Sequence, residues 1–319
     1  MTNEVTAVHA QGALARARLA THLGPGTSKA SYQGSASETY SSIQERLYES
    51  VFEEEYGIFW GFFKSTCPPK FTSELLSDLR EGQREIRERV NHELLTGHPN
   101  PLRYQVIGSR ISGVFSLGGD LALFRRCIAT KDRATLRRYA TACVDMIYEN
   151  ANNYDLPVTT ISLVQGQALG GGFEAALAAN VVVAERQCKM GFPEILFNLF
   201  PGMGAYHLLT RRLSPVQAQR FIESGRTYSA EELYELGLVD VLAGNGQGED
   251  AVRDYIRSHD RHFSGRQALR RAIRASTPTL DREALRRAVD VWVDAAFSLT
   301  PKDEQTMVYL LRAQARLQA

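Results

Sequence analysis

Apolar positions along this chain recur with two different periods, and their succession outlines the fold. From Leu47 to Lys64 the sequence alternates and is rich in aromatic residues (Tyr48, Phe52, Phe59, Trp60, Phe62), which predicts a β-hairpin turning near Tyr56-Gly57. Pro68-Pro69 ends it, and Thr72-Ser73 offers caps for a long charged helix through Val90. Pro99-Asn100-Pro101 precedes a strand at Tyr104 to Ile107. A second strand, Val114 to Ser116, leads into the turn Leu117-Gly118-Gly119-Asp120. Asp132 caps the next helix, whose apolar residues Leu136, Ala140, Cys143 and Ile147 fall at spacings of four, three and four and so share one face. Val158 to Val164 reads as a buried strand ending at Gln165-Gly166. A glycine run then opens a helix, and Val181-Val182-Val183 is the next buried strand.

Recurring strand-and-helix units of this kind predict an α/β fold of parallel-type strands crossed by helices. After a break at Gly244 to Gly248 the pattern turns wholly helical: Glu249 to His259, Gly265 to Ala275, Asp281 to Leu299 and Pro301 to Leu317. Three segments result: a variable, partly flexible stretch over 1–45 rich in Ala, Gly, Ser and Thr, a catalytic core over 46–245, and a helical C-terminal module over 246–319.

Composition narrows the function classes. A net charge of +1 gives no global field for nucleic acid or membrane surfaces. The most apolar stretch, Leu156 to Ala184, is interrupted by Gln165, Gln167, Glu174 and Asn180, so no membrane insertion is expected. Met1 to Ala20 has no apolar block of a secretory leader, and Cys67, Cys127, Cys143 and Cys188 form no paired framework. The expected setting is the reducing cytoplasm. No metal-ligand spacing, dinucleotide fingerprint or Walker loop occurs, so the site is expected to work without metal or cofactor.

The chemistry concentrates in Gly170-Gly171-Gly172-Phe173-Glu174 and, twenty positions on, Gly191-Phe192-Pro193-Glu194. Glycines let a ligand approach the backbone, and the free N–H groups of a helix start favour negative charge. A carboxylate in the first turn of an otherwise apolar helix is costly to bury unless its proton affinity is put to use. Together these features suit an oxyanion hole flanked by two acid/base groups. A tight turn beside a structural glutamate is the plainer alternative. Farther on, Arg253, Arg257 and Arg261, and then Arg266, Arg270 and Arg274, recur every four residues. Each set would form a basic stripe, either a docking face for an acidic partner or simply a solvated face.

From about Leu47 to Ala243 the chain resembles the crotonase (enoyl-CoA hydratase/isomerase) superfamily. The anchors are Phe115 to Asp120, Gly166 to Glu174, and Phe192-Pro193-Glu194 running on to Pro201-Gly202-Met203-Gly204. Within it, the stretch Glu194 to Ala205 is most similar to the diffusible signal factor synthases; the first 40 residues lie outside the resemblance. The resemblance implies a crotonase-like spiral of ββα units with a helical C-terminal module. It assigns the oxyanion hole to the N–H groups of Gly119 and Gly171 and the acid/base pair to Glu174 and Glu194. Leu169, Gly170, Met203 and Trp292 would line the acyl pocket. The implied reaction dehydrates a 3-hydroxyacyl group on acyl carrier protein and then cleaves the thioester, releasing a cis-2-unsaturated fatty acid signal. A homo-oligomer and a sensor histidine kinase partner are implied as well. The alternatives are a plain enoyl-CoA hydratase or isomerase, and a binding protein that sequesters a sensor kinase.

Two departures from ordinary hydratases bear on this. Pro69-Lys70-Phe71-Thr72-Ser73 stands where many carry an Asn-Ala-Leu-like stretch near the CoA site, which points to a carrier-protein donor. Asn198 replaces a glycine four residues after the second glutamate, and Asn tolerates the left-handed conformation better than most residues.

Overall fold

The fold was analysed in a computed structural model. The structure describes residues 46–276 and 280–316; the expectation for residues 1–45 otherwise lies outside them. The hairpin comprises β1 (Tyr48–Glu53) and β2 (Ile58–Phe63), with Gly57 in the turn at a φ of +64°. Helix α1 (Ser73–Thr96) starts where the Thr72 side chain accepts the Leu75 N–H. It stops at Gly97, whose left-handed backbone returns its N–H to Glu93 O. It therefore outruns the expected end at Val90 by more than a turn, as the Gly97 stop signal allows.

The chain then builds units of strand, short strand and helix. Strands β3 (Tyr104–Ser109) and β4 (Val114–Ser116) are followed by α2 (Leu121–Thr130) and α3 (Arg133–Ala151). Strands β5 (Thr159–Val164) and β6 (Gln167–Leu169) precede α4 (Gly171–Ala178). Strands β7 (Val181–Glu185) and β8 (Lys189–Gly191) precede the 3₁₀ turn Glu194–Phe197 and helix α5 (Ala205–Leu209). Then come α6 (Pro215–Glu223), β9 (Thr227–Ser229), α7 (Ala230–Glu235) and β10 (Val241–Ala243). The long strands join a six-stranded sheet in the order β1-β2-β3-β5-β7-β10, parallel except for β1. The short ones form a second sheet, β4-β6-β8-β9, with β9 antiparallel.

Successive residues of a strand face opposite sides, and here both sides are covered. Ile107, Val164 and Val182 enter the core under α1, α3 and α4, while Val106, Ile161, Leu163 and Val183 meet Val252 and Ile256 of α8 (Gly248–His259). Helices α9 (Phe263–Ser276), α10 (Arg282–Ala296) and α11 (Pro301–Arg316) complete the described chain. Helix α10 packs on α3, and its Leu285, Val289, Trp292 and Val293 belong to the main core.

Three expectations need correction. Helix α2 was not foreseen beyond the Gly119-Asp120 turn, although Asp120 caps it by accepting the Ala122 and Leu123 N–H groups. Strand β6 intervenes between Val164 and the glycine run, and Gly170 caps the helix from outside while Gly171 and Gly172 lie inside it. The arginine sets do not form continuous free stripes. Arg253 bonds Glu53, Arg257 pairs with Asp254, and Arg266 donates to the Tyr255 hydroxyl. Arg270 donates to Thr159 Oγ1 at 2.6 Å and Arg274 to Asn152 O at 2.7 Å, so α9 turns these two inward.

Gly166 shows how tightly the two sheets are joined. A Cβ there would lie 2.2 Å from the backbone carbon of Gly113. Gly166→Ala should therefore destabilise the fold by ~1–3 kcal/mol, measured as a lower urea midpoint with unchanged slope.

Candidate active site

The site begins where the second sheet ends. Strands β4 and β6 run parallel, which sets the loops that follow them side by side. Their glycines almost touch: a Cβ on Gly118 would lie 2.9 Å from the Gly171 nitrogen, and one on Gly171 would lie 3.5 Å from the Gly119 nitrogen. Gly118 and Gly170 also have φ values of +93° and +53°, which other residues rarely adopt. Among the described residues, neither the Gly119 nor the Gly171 backbone N–H meets a protein acceptor. Gly171 is the first residue of α4, so its N–H has no partner within the helix.

The Pro69–Phe71 segment braces this loop. Leu117 N–H donates to Pro69 O at 2.7 Å, and Phe71 N–H donates to Gly118 O at 2.8 Å. Lys70 Nζ bonds Asp120 at 2.8 Å. The Tyr139 hydroxyl accepts the Asp120 N–H and donates to Phe71 O at 2.5 Å. Sequence reasoning missed Lys70 and Tyr139 here. The only early signal was the unusual segment itself.

Glu174 sits in the first turn of α4 and is fully buried. Its Oε1 accepts the backbone N–H groups of Met203 and Ala205, at 2.7 and 2.8 Å, while Oε2 is buried without a hydrogen-bond partner. Burial drives its pKa well above the ordinary glutamate value, and the nearby Glu194 charge adds to this. The two N–H donors pull the other way and do not restore it.

Glu194 opens the 3₁₀ turn after Pro193. Its stem is partly accessible, but its Oε2 is buried and also lacks a hydrogen-bond partner. Burial raises its pKa to about 8. A Cβ on Gly170 would lie 2.3 Å from Glu194 Oε1, so glycine at 170 makes room for this carboxylate. Asn198 ends the turn in the left-handed conformation, φ 57°, the position where glycine was expected to be replaceable.

Both glutamates and Gly119, Gly170 and Gly171 line one cavity of about 350 Å³. Leu169, Met203 and Trp292 line it too, so the residues singled out in the sequence are brought together. Trp292 is fixed by donating its indole N–H to Phe200 O at 3.0 Å, and it meets Phe124 edge-on at 4.9 Å. Leu121 and Phe124 of α2, and Ala140 and Cys143 of α3, complete one wall. Those of α2 were missed together with their helix; the repeat Leu121, Phe124 was the available signal.

Two neighbouring carboxyl groups of raised proton affinity, two unpaired backbone N–H groups and an apolar cavity define the equipment for acid–base chemistry beside a carbonyl. The Enoyl-CoA hydratase/isomerase family matches residues 99–300, and the chain belongs to that family. Mouse mitochondrial methylglutaconyl-CoA hydratase is 34% identical over 158 residues, covering 48% of this chain and 46% of that protein. Human peroxisomal bifunctional enzyme is 26% identical over 266 residues, covering 77% of this chain and 34% of that one. The chain thus spans less than half the length of these curated relatives. Among solved structures, Pseudomonas aeruginosa DspI shares the fold with a TM-score of 0.56 at 20% identity, covering 84% of this chain and 96% of that chain.

The buried Glu194 makes stability depend on pH. Its folded pKa is raised from 4.5 to about 8, so between these values the folded chain holds a proton that the unfolded chain releases. Stability is then greatest at low pH within this window and falls as pH rises through it. Glu194→Gln should flatten the fall and leave the chain more stable than its parent at pH 8, by at least ~1 kcal/mol. Urea denaturation at steps from pH 5 to pH 8 measures both.

Proposed function

We propose that this chain is a lyase that removes water from a 3-hydroxyacyl thioester and then hydrolyses the thioester. The observation that carries the reading is Glu174 Oε2, buried and unpartnered, opening with Glu194 on an apolar cavity beside two free backbone N–H groups. The thioester carbonyl oxygen sits between the N–H groups of Gly119 and Gly171. Glu194, once it has released its own proton, takes the proton from C2, and the electrons move onto the carbonyl oxygen as an enolate. Glu174, whose protonated form is favoured by burial and by the nearby Glu194 charge, gives its proton to the C3 hydroxyl. The C–O bond breaks, water leaves and the C2–C3 double bond forms. Each N–H donor of such a hole is typically worth about 3–4 kcal/mol, and a positioned acid or base about 10²–10⁴ in rate.

In the second step one carboxylate deprotonates water, which adds to the thioester carbonyl in the same hole. The C–S bond breaks, the thiol leaves with a proton and a free 2-enoic acid remains. The finer reading is that the acid is a cis-2-unsaturated signal and that the substrate rides on acyl carrier protein. The Pro69–Phe71 segment supports a donor other than CoA, because it closes on the glycine loop where ordinary hydratases differ in sequence. The inward-turned Arg270 and Arg274 no longer support a carrier-docking stripe. A reversible CoA hydratase is the second reading, favoured by the name of the mouse relative. A protein that only sequesters a sensor kinase has no use for two carboxyl groups buried at a cost to stability.

Mass spectrometry of products from 3-hydroxyacyl carrier proteins and 3-hydroxyacyl-CoAs of several lengths tests this reading. Free cis-2-enoic acid is the expected product. An enoyl thioester in equilibrium with its hydrate would establish the hydratase instead, and no turnover at any length would remove both readings. Glu174→Gln and Glu194→Gln should fold and each lower kcat by at least about 10²-fold, because an amide cannot exchange these protons. Gly171→Val should fold as well, since its Cβ meets chiefly the flexible end of Met203, at 2.5 Å. It should nonetheless abolish turnover by filling the carbonyl position.

A further inference from the structure

A second cavity, of about 490 Å³, lies at the other end of α4. Ala179 and Asn180, the residues just beyond that helix, form part of its wall. Arg211 and Arg212 come from the chain just after α5, and Arg270 and Arg274 from α9. Four guanidinium groups therefore meet around one space, with His207 at its edge.

One carboxylate, Asp240, also lines this cavity, and it is already engaged. It accepts from Arg212 at 2.9 and 3.0 Å and from the Val182 N–H at 2.7 Å. Among the described residues, Arg211, Arg270 and Arg274 have no carboxylate within 4.0 Å. Each is positioned by a neutral acceptor instead: Arg211 by Ala178 O at 3.5 Å, Arg270 by Thr159 Oγ1 and Arg274 by Asn152 O. One guanidinium nitrogen orients each side chain, and among the described residues the remaining N–H groups have no protein acceptor.

Like charges gathered in this way repel one another unless something negative joins them. Arg211 registers the conflict. Loss of hydration, followed by repulsion from Arg212, Arg274 and Arg270, brings its pKa down to about 10. Its side chain is exposed where it lines the cavity. A further sign is Asn153, which is 1% exposed, lines the cavity and keeps its side-chain oxygen without a partner.

We propose that this cavity is a binding site for a small phosphorylated molecule carrying at least two anionic oxygens on adjacent groups, of the pyrophosphate or nucleotide class. Guanidinium groups present paired N–H donors that match phosphate oxygens, and three of them here lack an anionic partner among the described residues. The space exceeds what a single phosphate needs and falls in the range of small-ligand pockets. The site is separate from the glutamate cavity: no residue lines both.

Isothermal titration calorimetry of the full chain with inorganic pyrophosphate, and in parallel with ADP, tests the proposal. The expected result is one site per chain. Arg211→Gln and Arg274→Gln should each weaken binding by at least about tenfold, and Arg271→Gln, on the same helix but outside the cavity, should not. ADP binding more tightly than pyrophosphate would identify a nucleotide, and equal affinities a bare diphosphate. Sedimentation velocity of the same proteins guards against another occupant. If the parent chain self-associates and Arg211→Gln dissociates it, carboxylates of a second copy fill the cavity and the proposal is wrong. Absence of binding at millimolar pyrophosphate by folded parent protein overturns it equally. Activity of the glutamate site is not read in any arm, so the two proposals fail separately.

Discussion

Everything in the first cavity depends on keeping a buried carboxyl group in place without neutralising its use. A carboxylate moved from water into an apolar interior costs several kcal/mol unless it is paired or hydrogen-bonded. Among the described residues, no cation pairs with Glu174. It receives two backbone N–H groups on one oxygen, from Met203 and Ala205, and nothing on the other. That division anchors the side chain through one atom and leaves the second free to carry a proton. An arginine in the same position would hold the group more firmly and fix it as the anion. Backbone donors orient it more gently, so burial still dominates and the proton affinity stays high.

The same logic explains the glycines. Gly118 and Gly171 bring two backbones together, and Gly170 clears the space that Glu194 occupies. Each is a place where a side chain would occupy volume that a nitrogen or a carboxylate needs. The loops can come this close because β4 and β6 are hydrogen-bonded neighbours and because Pro69–Phe71 braces the first loop from outside. Strand pairing sets the separation, and Lys70, outside the cavity, and Tyr139, in its wall, hold it.

Much of this was legible in the sequence where a period or a special residue carried the signal. The stripe Leu136, Ala140, Cys143 and Ile147 is wholly buried, and the caps Thr72 and Asp132 act as their side-chain chemistry suggests. Glu174 and Glu194 announced themselves because a carboxylate beside glycine in an apolar run has few structural excuses. What stayed hidden lacks any period. Strands β4, β6, β8 and β9 are three residues long, too short to show alternation, so the second sheet was largely unreadable. The contacts that hold Glu174 join residues 29 and 31 positions apart, which local pattern cannot pair. Spacing gave the arginines a common face but not its direction: Arg257 and Arg261 face solvent, whereas Arg270 and Arg274 turn inward.

Helix α4 connects these observations electrostatically. A short helix places partial positive charge on its first N–H groups and partial negative charge on its last carbonyls. The acid groups gather at the first end, where Gly171 N–H is free and Glu174 occupies the opening turn. The arginines gather at the second, where Arg211 meets Ala178 O and Arg212 meets Asn180 O. Helix α5 runs alongside in the same sense of use: the N–H of its first residue, Ala205, holds Glu174, and the chain leaving its last turn supplies Arg211 and Arg212. The two helices thus separate charge across the core, with titratable oxygens in one cavity and unpaired guanidinium groups in the other. Each cavity alone would be an unfavourable concentration of like charge in a protein of net charge +1. The helix ends soften that cost within about one turn only. The remainder is met by what binds there: protons on the glutamates in the first cavity, and, on the proposal above, an anion among the arginines in the second.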